Sequence, residues 1–335
     1  MTTRRQVLFA SSALSGTAAL ALLQGCWAEA TDLGLRTVRR TWRAMGTEVT
    51  MVALHESRTA ALRALDAAFA EVALVDELMS LYRPDSELSQ LNRTGVVQHP
   101  HPHLVSVLER AQQLARRTAG AFDVTVQPLW RLYAEANDQG RLPDDAAIQA
   151  VRSRVDFRRL ELTSSRLRLH GEGQAVTLNG IAQGFAADRA LAALRAHGVR
   201  HALVNAGELG ACGHNETGQD WTAGIRHPRR SDDYVSTARL DGRCMATSGD
   251  YATAFTPDLS SHHIFDPGTG RSPLAFSSVT VVAPAAVDAD ALSTAVFVLG
   301  LVKGSQLIQA WPRADALFVL KDGRVLATRG FPGAA

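Results

Sequence analysis

Between Ala285 and Gly300 the chain reads AAVDADALSTAVFVLG, with no proline after Pro284. Alanine, leucine and valine dominate, so the stretch reads as a buried helix. Asp290 and Thr294 lie four residues apart in it. Residues at that spacing share a helix face one turn apart. A carboxylate and a hydroxyl are thus presented side by side at the start of an apolar element. Two such oxygens suit a hard cation such as Mg²⁺, which takes one or two protein oxygens together with phosphate oxygens. Taken alone, the pair also reads as an acidic residue stabilised by the helix dipole with a threonine as filler.

Residues 1–25 read as an export signal rather than as fold. Arg4-Arg5 is followed by an apolar run from Val7 to Leu23 interrupted by small residues. Charged, apolar and small-residue regions in that order are the parts of a secretory leader, and twin arginines point to the bacterial route for folded cargo. Leu23-Gln24-Gly25-Cys26 resembles a lipobox. Lipidation of Cys26 would anchor the chain to the periplasmic side of a bacterial membrane without a spanning helix. No later run is expected to reach the roughly 18 apolar residues that span a bilayer. Residues 26–38 read as a tether and 39–331 as one globular unit. Cys212 and Cys244 then remain, as two buried thiols or as a bridge; their number and spacing do not make a zinc site.

Hydrophobic residues make up 46% of the chain and charged residues 20%, enough for a substantial core. A net charge of +2 gives no reason to expect a nucleic-acid partner. Strands are expected at Val49–Leu54, Leu160–Leu169, Ala175–Leu178, His201–Asn205, Trp221–Ile225, Ser278–Ala283 and Leu317–Leu320. Helices are expected from Ser57 to about Met79, from Pro102 to near Gly120 and from Asn179-Gly180 to about His197. Strands and helices mix without a strict βαβ rhythm, which favours an α+β fold with largely antiparallel sheets packed with helices.

Chemistry-bearing residues gather at the junctions. VTLNGIAQGFAAD (Val176–Asp188) runs a strand into a helix start, which suits phosphate, and Gly180 can expose its carbonyl to a metal; a plain turn with tight helix packing is the alternative, and Asp188 reads as a solvated or structural carboxylate. HALVNAGELGACG (His201–Gly213) again runs a strand into Asn and Gly, either a ligand floor or a turn. Thr247-Ser248-Gly249-Asp250 is hydrogen-bonding equipment for a ribityl chain or phosphate, and also an ordinary turn composition. SHHIFDPGTGRSP (Ser261–Pro273) holds His262 and His263, either of which can be structural or a general base. In GAFDVTVQPLWRL (Gly120–Leu132), Phe122 and Trp130 are core candidates and Asp123 can bond a heterocycle edge.

Taken in order, these blocks resemble the FAD:protein FMN transferase (ApbE) family. The resemblance runs from Met45-Gly46-Thr47 through SLYRPDSELSQLN (Ser80–Asn92), GAFDVTVQPLW, LNGIAQGFAAD, VNAGELG, ATSGDY, HHIFDPGTG and SVTVVAP to Asp290–Thr294. It implies an ApbE-like fold and a Mg²⁺-dependent enzyme. Such an enzyme splits FAD at its pyrophosphate and places FMN on a Thr or Ser of an acceptor flavoprotein subunit, releasing AMP. It implies Gly180, Asp290 and Thr294 as metal ligands, with Asp290 and His263 catalytic and His263 taking the proton from the acceptor hydroxyl. It implies Met45, Tyr82, Asn92, Ala121, Phe122, Asp123, Thr177, Thr247, Ser248 and Gly249 around FAD, with Tyr82 a stacking surface. The chain departs from the family pattern of Asp-Leu-Gly-Gly-Ile-Ala-Lys-Gly: Thr177 replaces the Asp, Asn179 the first Gly and Gln183 the Lys. Gly-Gly-Asp is shortened to Gly207-Glu208. A FAD pyrophosphatase and a non-catalytic flavin-binding lipoprotein are the alternative functions.

Overall fold

The structure, a computed structural model, describes residues 34–333. The leader, the lipobox with Cys26 and most of the tether lie outside the described residues. In chain order the first elements are strands β1 (Arg36–Ala44) and β2 (Thr47–His55), helices α1 (Arg58–Met79) and α2 (Glu87–Thr94), β3 (Val96–Gln98) and α3 (Pro102–Arg117). Helices α4 (Gln127–Asp138) and α5 (Asp145–Arg152) follow, then β4 (Leu160–Leu162), β5 (Arg166–Leu169) and α6 (Ala182–Ala196). Strands β6 (His201–Asn205), β7 (Leu209–Cys212), β8 (Thr222–His227), β9 (Arg230–Arg239), β10 (Cys244–Gly249) and β11 (Phe276–Ala283) come next. Helix α7 (Ala286–Gln309) and strands β12 (Asp315–Leu320) and β13 (Val325–Ala327) complete the unit.

Eight strands form the central sheet in the order β1-β2-β6-β7-β10-β11-β12-β13, each pair antiparallel. Side chains alternate between its faces, as the strand repeat of two dictates. Val49, Met51 and Ala53 of β2 and Val279, Val281 and Ala283 of β11 point into the larger core, where α1, α6 and α7 pack. Val52, Leu54, Val282, Leu317 and Val319 point the other way, onto Trp221 and onto Ala223 and Ile225 of β8 and Ala238 of β9. Both faces are covered, so central strands read as nearly continuous apolar runs.

The expected α+β class holds, and so do most expected elements. Ser57 caps α1 through its hydroxyl, and Pro102 opens α3. Six readings are corrected. Leu160–Leu169 is a hairpin, not one strand, because Thr163 turns the chain by accepting the Arg166 N–H and donating to its carbonyl. Ala175–Leu178 joins no sheet beyond a single bridge to Val126. Its backbone is held instead by the Asn92 amide, which brackets Val176 at 2.6 and 2.8 Å. The helix after Gly180 begins only at Ala182, and β1 starts at Arg36, inside the segment read as tether. Helix α7 runs on past Gly300, where the backbone breaks at φ 74° and ψ 178°. It is therefore long and apolar enough to cross a membrane by length and composition, contrary to expectation, yet half of its most apolar window is buried within the fold. Cys212 and Cys244 are free and buried, and burial pushes the Cys244 thiol up to about 12.

Candidate active site

The N-terminal turns of α6 and α7 cross closely. Gly184 permits the crossing: a methyl group there would lie 2.2 Å from the Ala286 carbonyl oxygen and 2.7 Å from Asp290 Cβ. Asp188, read as a solvated or structural carboxylate, is structural: it accepts the backbone N–H groups of Ala286 and Val287, both at 2.9 Å. It thereby caps a helix whose own N-cap residue, Ala285, has no side-chain oxygen to do so. Gly184→Ala is expected to destabilise the protein by about 1–3 kcal/mol, because backbone rather than a flexible side chain fills the space. Chemical denaturation measures this, and an unchanged midpoint would remove the crossing as the reason for glycine.

Where the helices cross, a cavity of about 170 Å³ opens beside the last residues of β10. Asp290, 4% exposed, accepts the Gly184 N–H at 2.9 Å. One turn on, Thr294 Oγ1 lies 3.0 Å from the Ser248 hydroxyl, which also meets Ser293 Oγ at 2.8 Å. Gly180 lies against the same hydroxyl, since a Cβ at that position would stand 3.0 Å from Thr294 Oγ1. Three segments distant in sequence thus bring Gly180, Asp290 and Thr294 to one wall, with Thr177, Thr247, Ser248 and Gly249 beside them.

Glu208, which the sequence marked only as a departure, lines the same cavity at 6% exposure. Its Oε2 accepts the Thr247 N–H at 3.1 Å. Burial, and then the charge of Asp290, hold its carboxyl well above the usual range. Burial likewise raises Asp290 to about 7, although the Gly184 N–H pulls the other way. Three buried carboxylates, Asp123, Glu208 and Asp290, line one cavity, and among the described residues no lysine or arginine does. Tyr251 was missed as well. Its ring packs on Gly249, where a Cβ would come within 2.3 Å of it, and burial raises the phenol to about 12. A charged residue inside the apolar run from His201 to Cys212 was the available signal for Glu208; for Tyr251 it was its place as the last residue of the ATSGDY block.

His262 and His263 part company. His262 is fully buried, donates to the Pro273 carbonyl at 3.1 Å and stands edge-on to Phe297; burial lowers its pKa to about 4. His263 lines the cavity. Its Nδ1 lies 3.1 Å from the Thr253 carbonyl, which fixes the proton there and leaves the Nε2 lone pair free. Burial lowers its pKa, so the imidazole is neutral at pH 7. The segment carrying it is bolted at its base. Asp250 takes a two-pronged Arg229 pair at 2.7 Å, and the Lys321 ammonium lies 2.5 Å from Asp250 while donating to the Leu259 carbonyl at 2.7 Å.

Ala121, Phe122 and Asp123 close the far side. Both Asp123 oxygens are engaged locally, by the N–H and hydroxyl of Thr125 and by the Phe157 N–H. Three expected flavin contacts lie elsewhere. Tyr82 is 77% exposed after α1, Met45 lines a separate depression at the β1–β2 turn, and Asn92 is the bracket on Val176. Of the residues at departures from the family pattern, Thr177, Asn179, Gln183 and Glu208 all line the cavity.

The ApbE family model matches residues 45–318, which include every cavity residue named above. The chain belongs to the ApbE family. A FAD:protein FMN transferase of Treponema pallidum is 33% identical over 291 residues, covering 80% of each chain. One from Vibrio cholerae is 34% identical over 251 residues, 70% of this chain and 73% of that one. Among solved ApbE structures, the Thermotoga maritima protein superposes with a TM-score of 0.78 at 27% identity, over 88% of this chain and 97% of its own. The apo flavinyl transferase ApbE of Pseudomonas stutzeri gives 0.78 at 29%, over 90% and 98%.

Proposed function

We propose that this ApbE protein transfers FMN from FAD to a Thr or Ser hydroxyl of an acceptor protein, releasing AMP. One observation supports the reading most: among the described residues, a cavity lined by Asp123, Glu208 and Asp290 has no lysine or arginine to meet a diphosphate. An anion entering it requires a cation to come with it. The donors present fit a hard cation: the Asp290 carboxylate, the Thr294 hydroxyl and the Gly180 carbonyl. Among the described residues no group of three or more His, Cys, Asp or Glu forms a metal cluster, so the oxygens of the diphosphate would complete the shell. Bound Mg²⁺ would neutralise charge on the diphosphate and polarise it toward attack.

The chain's own residues supply the rest. His263 Nε2 takes the proton of the acceptor hydroxyl as that oxygen bonds to the FMN phosphorus. The bond from that phosphorus to the adenylate oxygen breaks, and AMP leaves. The Thr253 carbonyl keeps the imidazole in the tautomer this needs. Thr247, Ser248 and Gly249 line the cavity and would contact the flavin's ribityl phosphate. Arg4-Arg5 and the lipobox at Cys26 support export and a lipid anchor on the periplasmic side.

Incubation of the protein with FAD and Mg²⁺, with and without a Thr-bearing acceptor domain, tests the reading. AMP release only with acceptor, with flavin fluorescence on the acceptor in a denaturing gel, is the expected result, and chelation should abolish both. AMP without acceptor would make the protein a pyrophosphatase. Bound flavin without AMP would make it a carrier.

A further inference from the structure

A second cleft, of about 630 Å³, shares the Ala121–Asp123 wall with the catalytic cavity. Its charge is opposite in sign. Arg152, Arg158, Arg159 and Lys303 line it against Asp123, Asp156 and Asp266, whereas among the described residues the catalytic cavity has three carboxylates and no lysine or arginine. Asp156 is shared between Arg158 at 3.3 Å and Arg159 at 3.9 Å. Arg152 donates to the Gly268 carbonyl, which leaves its charge unmatched. Lys303 has no hydrogen-bonding or ionic partner among the described residues. Val298 and Leu299, just before the break in α7 at Gly300, add an apolar strip.

We propose that this cleft holds an acidic stretch of the acceptor polypeptide next to the hydroxyl that receives FMN; the inference rests on the transferase reading. A cavity of about 170 Å³ admits a reacting side chain but cannot grip a polypeptide, so an acceptor must be held outside it. The cleft lies where that grip is needed. The segment that lines the cavity with His263, Ile264 and Phe265 continues directly into the cleft wall as Asp266, Pro267 and Gly268. A chain laid along the cleft therefore ends beside the base that deprotonates its hydroxyl. Basic side chains around an apolar strip select acidic residues flanking a hydrophobic one, and charge complementarity of this kind sets partner choice and capture rate.

The test uses the full chain with FAD and Mg²⁺ and a short fluorescein-labelled synthetic peptide carrying one Thr among Asp, Glu and Leu residues. A twin peptide has Asn and Gln in place of the acids. By fluorescence anisotropy the acidic peptide should bind about tenfold more tightly than its twin. The Arg158→Glu, Lys303→Glu double variant should erase that preference, while Arg63→Glu, remote on α1, should keep it. Circular dichroism and FAD binding of the double variant should match the parent, showing that fold and catalytic cavity survive. Equal binding of the two peptides, an unaffected double variant, or displacement of the acidic peptide by AMP would overturn the proposal. The last outcome would mark the cleft as a nucleotide subsite. Failure of the parent to bind FAD or release AMP would instead sink the transferase reading, and the peptide comparison would still report on the cleft.

Discussion

Asp290→Asn is expected to lower flavin transfer on the order of 10³-fold, the scale seen when one preorganised electrostatic contact is lost from a reacting centre. Asparagine is the informative replacement. Its amide oxygen can still accept the Gly184 N–H that Asp290 accepts at 2.9 Å, so the helix crossing keeps its hydrogen bond. Only the charge goes. Asp290 and Glu208 are both buried beside one cavity, and burial disfavours each as an anion. Removing one charge should therefore leave thermal stability equal to the parent's or higher in the absence of metal. Sites that carry such uncompensated charge trade stability for function. Calorimetric titration with Mg²⁺ should show the binding isotherm lost in the variant. A variant that keeps both the isotherm and full turnover would exclude Asp290 from the site.

His263→Gln is expected to slow transfer by about 10²–10⁴-fold, the range for loss of a positioned general base, with FAD affinity unchanged. The pH dependence distinguishes this role from a structural one. His263 must be neutral to accept a proton, and burial holds its pKa below the ordinary 6.5. Activity should rise with pH through that depressed value and be flat by neutrality, and the variant should lose this limb. His262 gives a separate acid effect. Its folded pKa of about 4 lies below its unfolded value, so the folded state binds fewer protons between the two. Stability is thus complete above about pH 6.5 and falls as the pH drops toward 4, and the fall is smaller in the His263 variant, which lacks the second depressed imidazole. Identical rate profiles for parent and variant would show that His263 is not the base.

What was readable from the sequence was local. Asp290 and Thr294 share a face because a helix repeats every 3.6 residues, and the apolar run around them reads as a buried helix, which the structure bears out for the turns that carry the pair. Ser57 and Pro102 mark helix starts because the unpaired N–H groups there have few ways of being satisfied. The ordered blocks from Met45 to Thr294 carried the family. Where local pattern misled, a tertiary partner had replaced a local one. Ala175–Leu178 has the composition of a strand, but Asn92 supplies the backbone bonds that a neighbouring strand would have given.

Only the tertiary structure decided which carboxylates share a cavity, and it placed Glu208 there while leaving Met45, Tyr82 and Asn92 outside. It also decided that Asp188 caps α7 from another helix, that Gly184 lets the two helices meet, and that an acidic cavity and a basic cleft share one wall. Such relations depend on the order of strands in the sheet and on how helices cross above it. Burial and charge are properties of the assembled packing, so residues far apart in the chain acquire them only when the core closes.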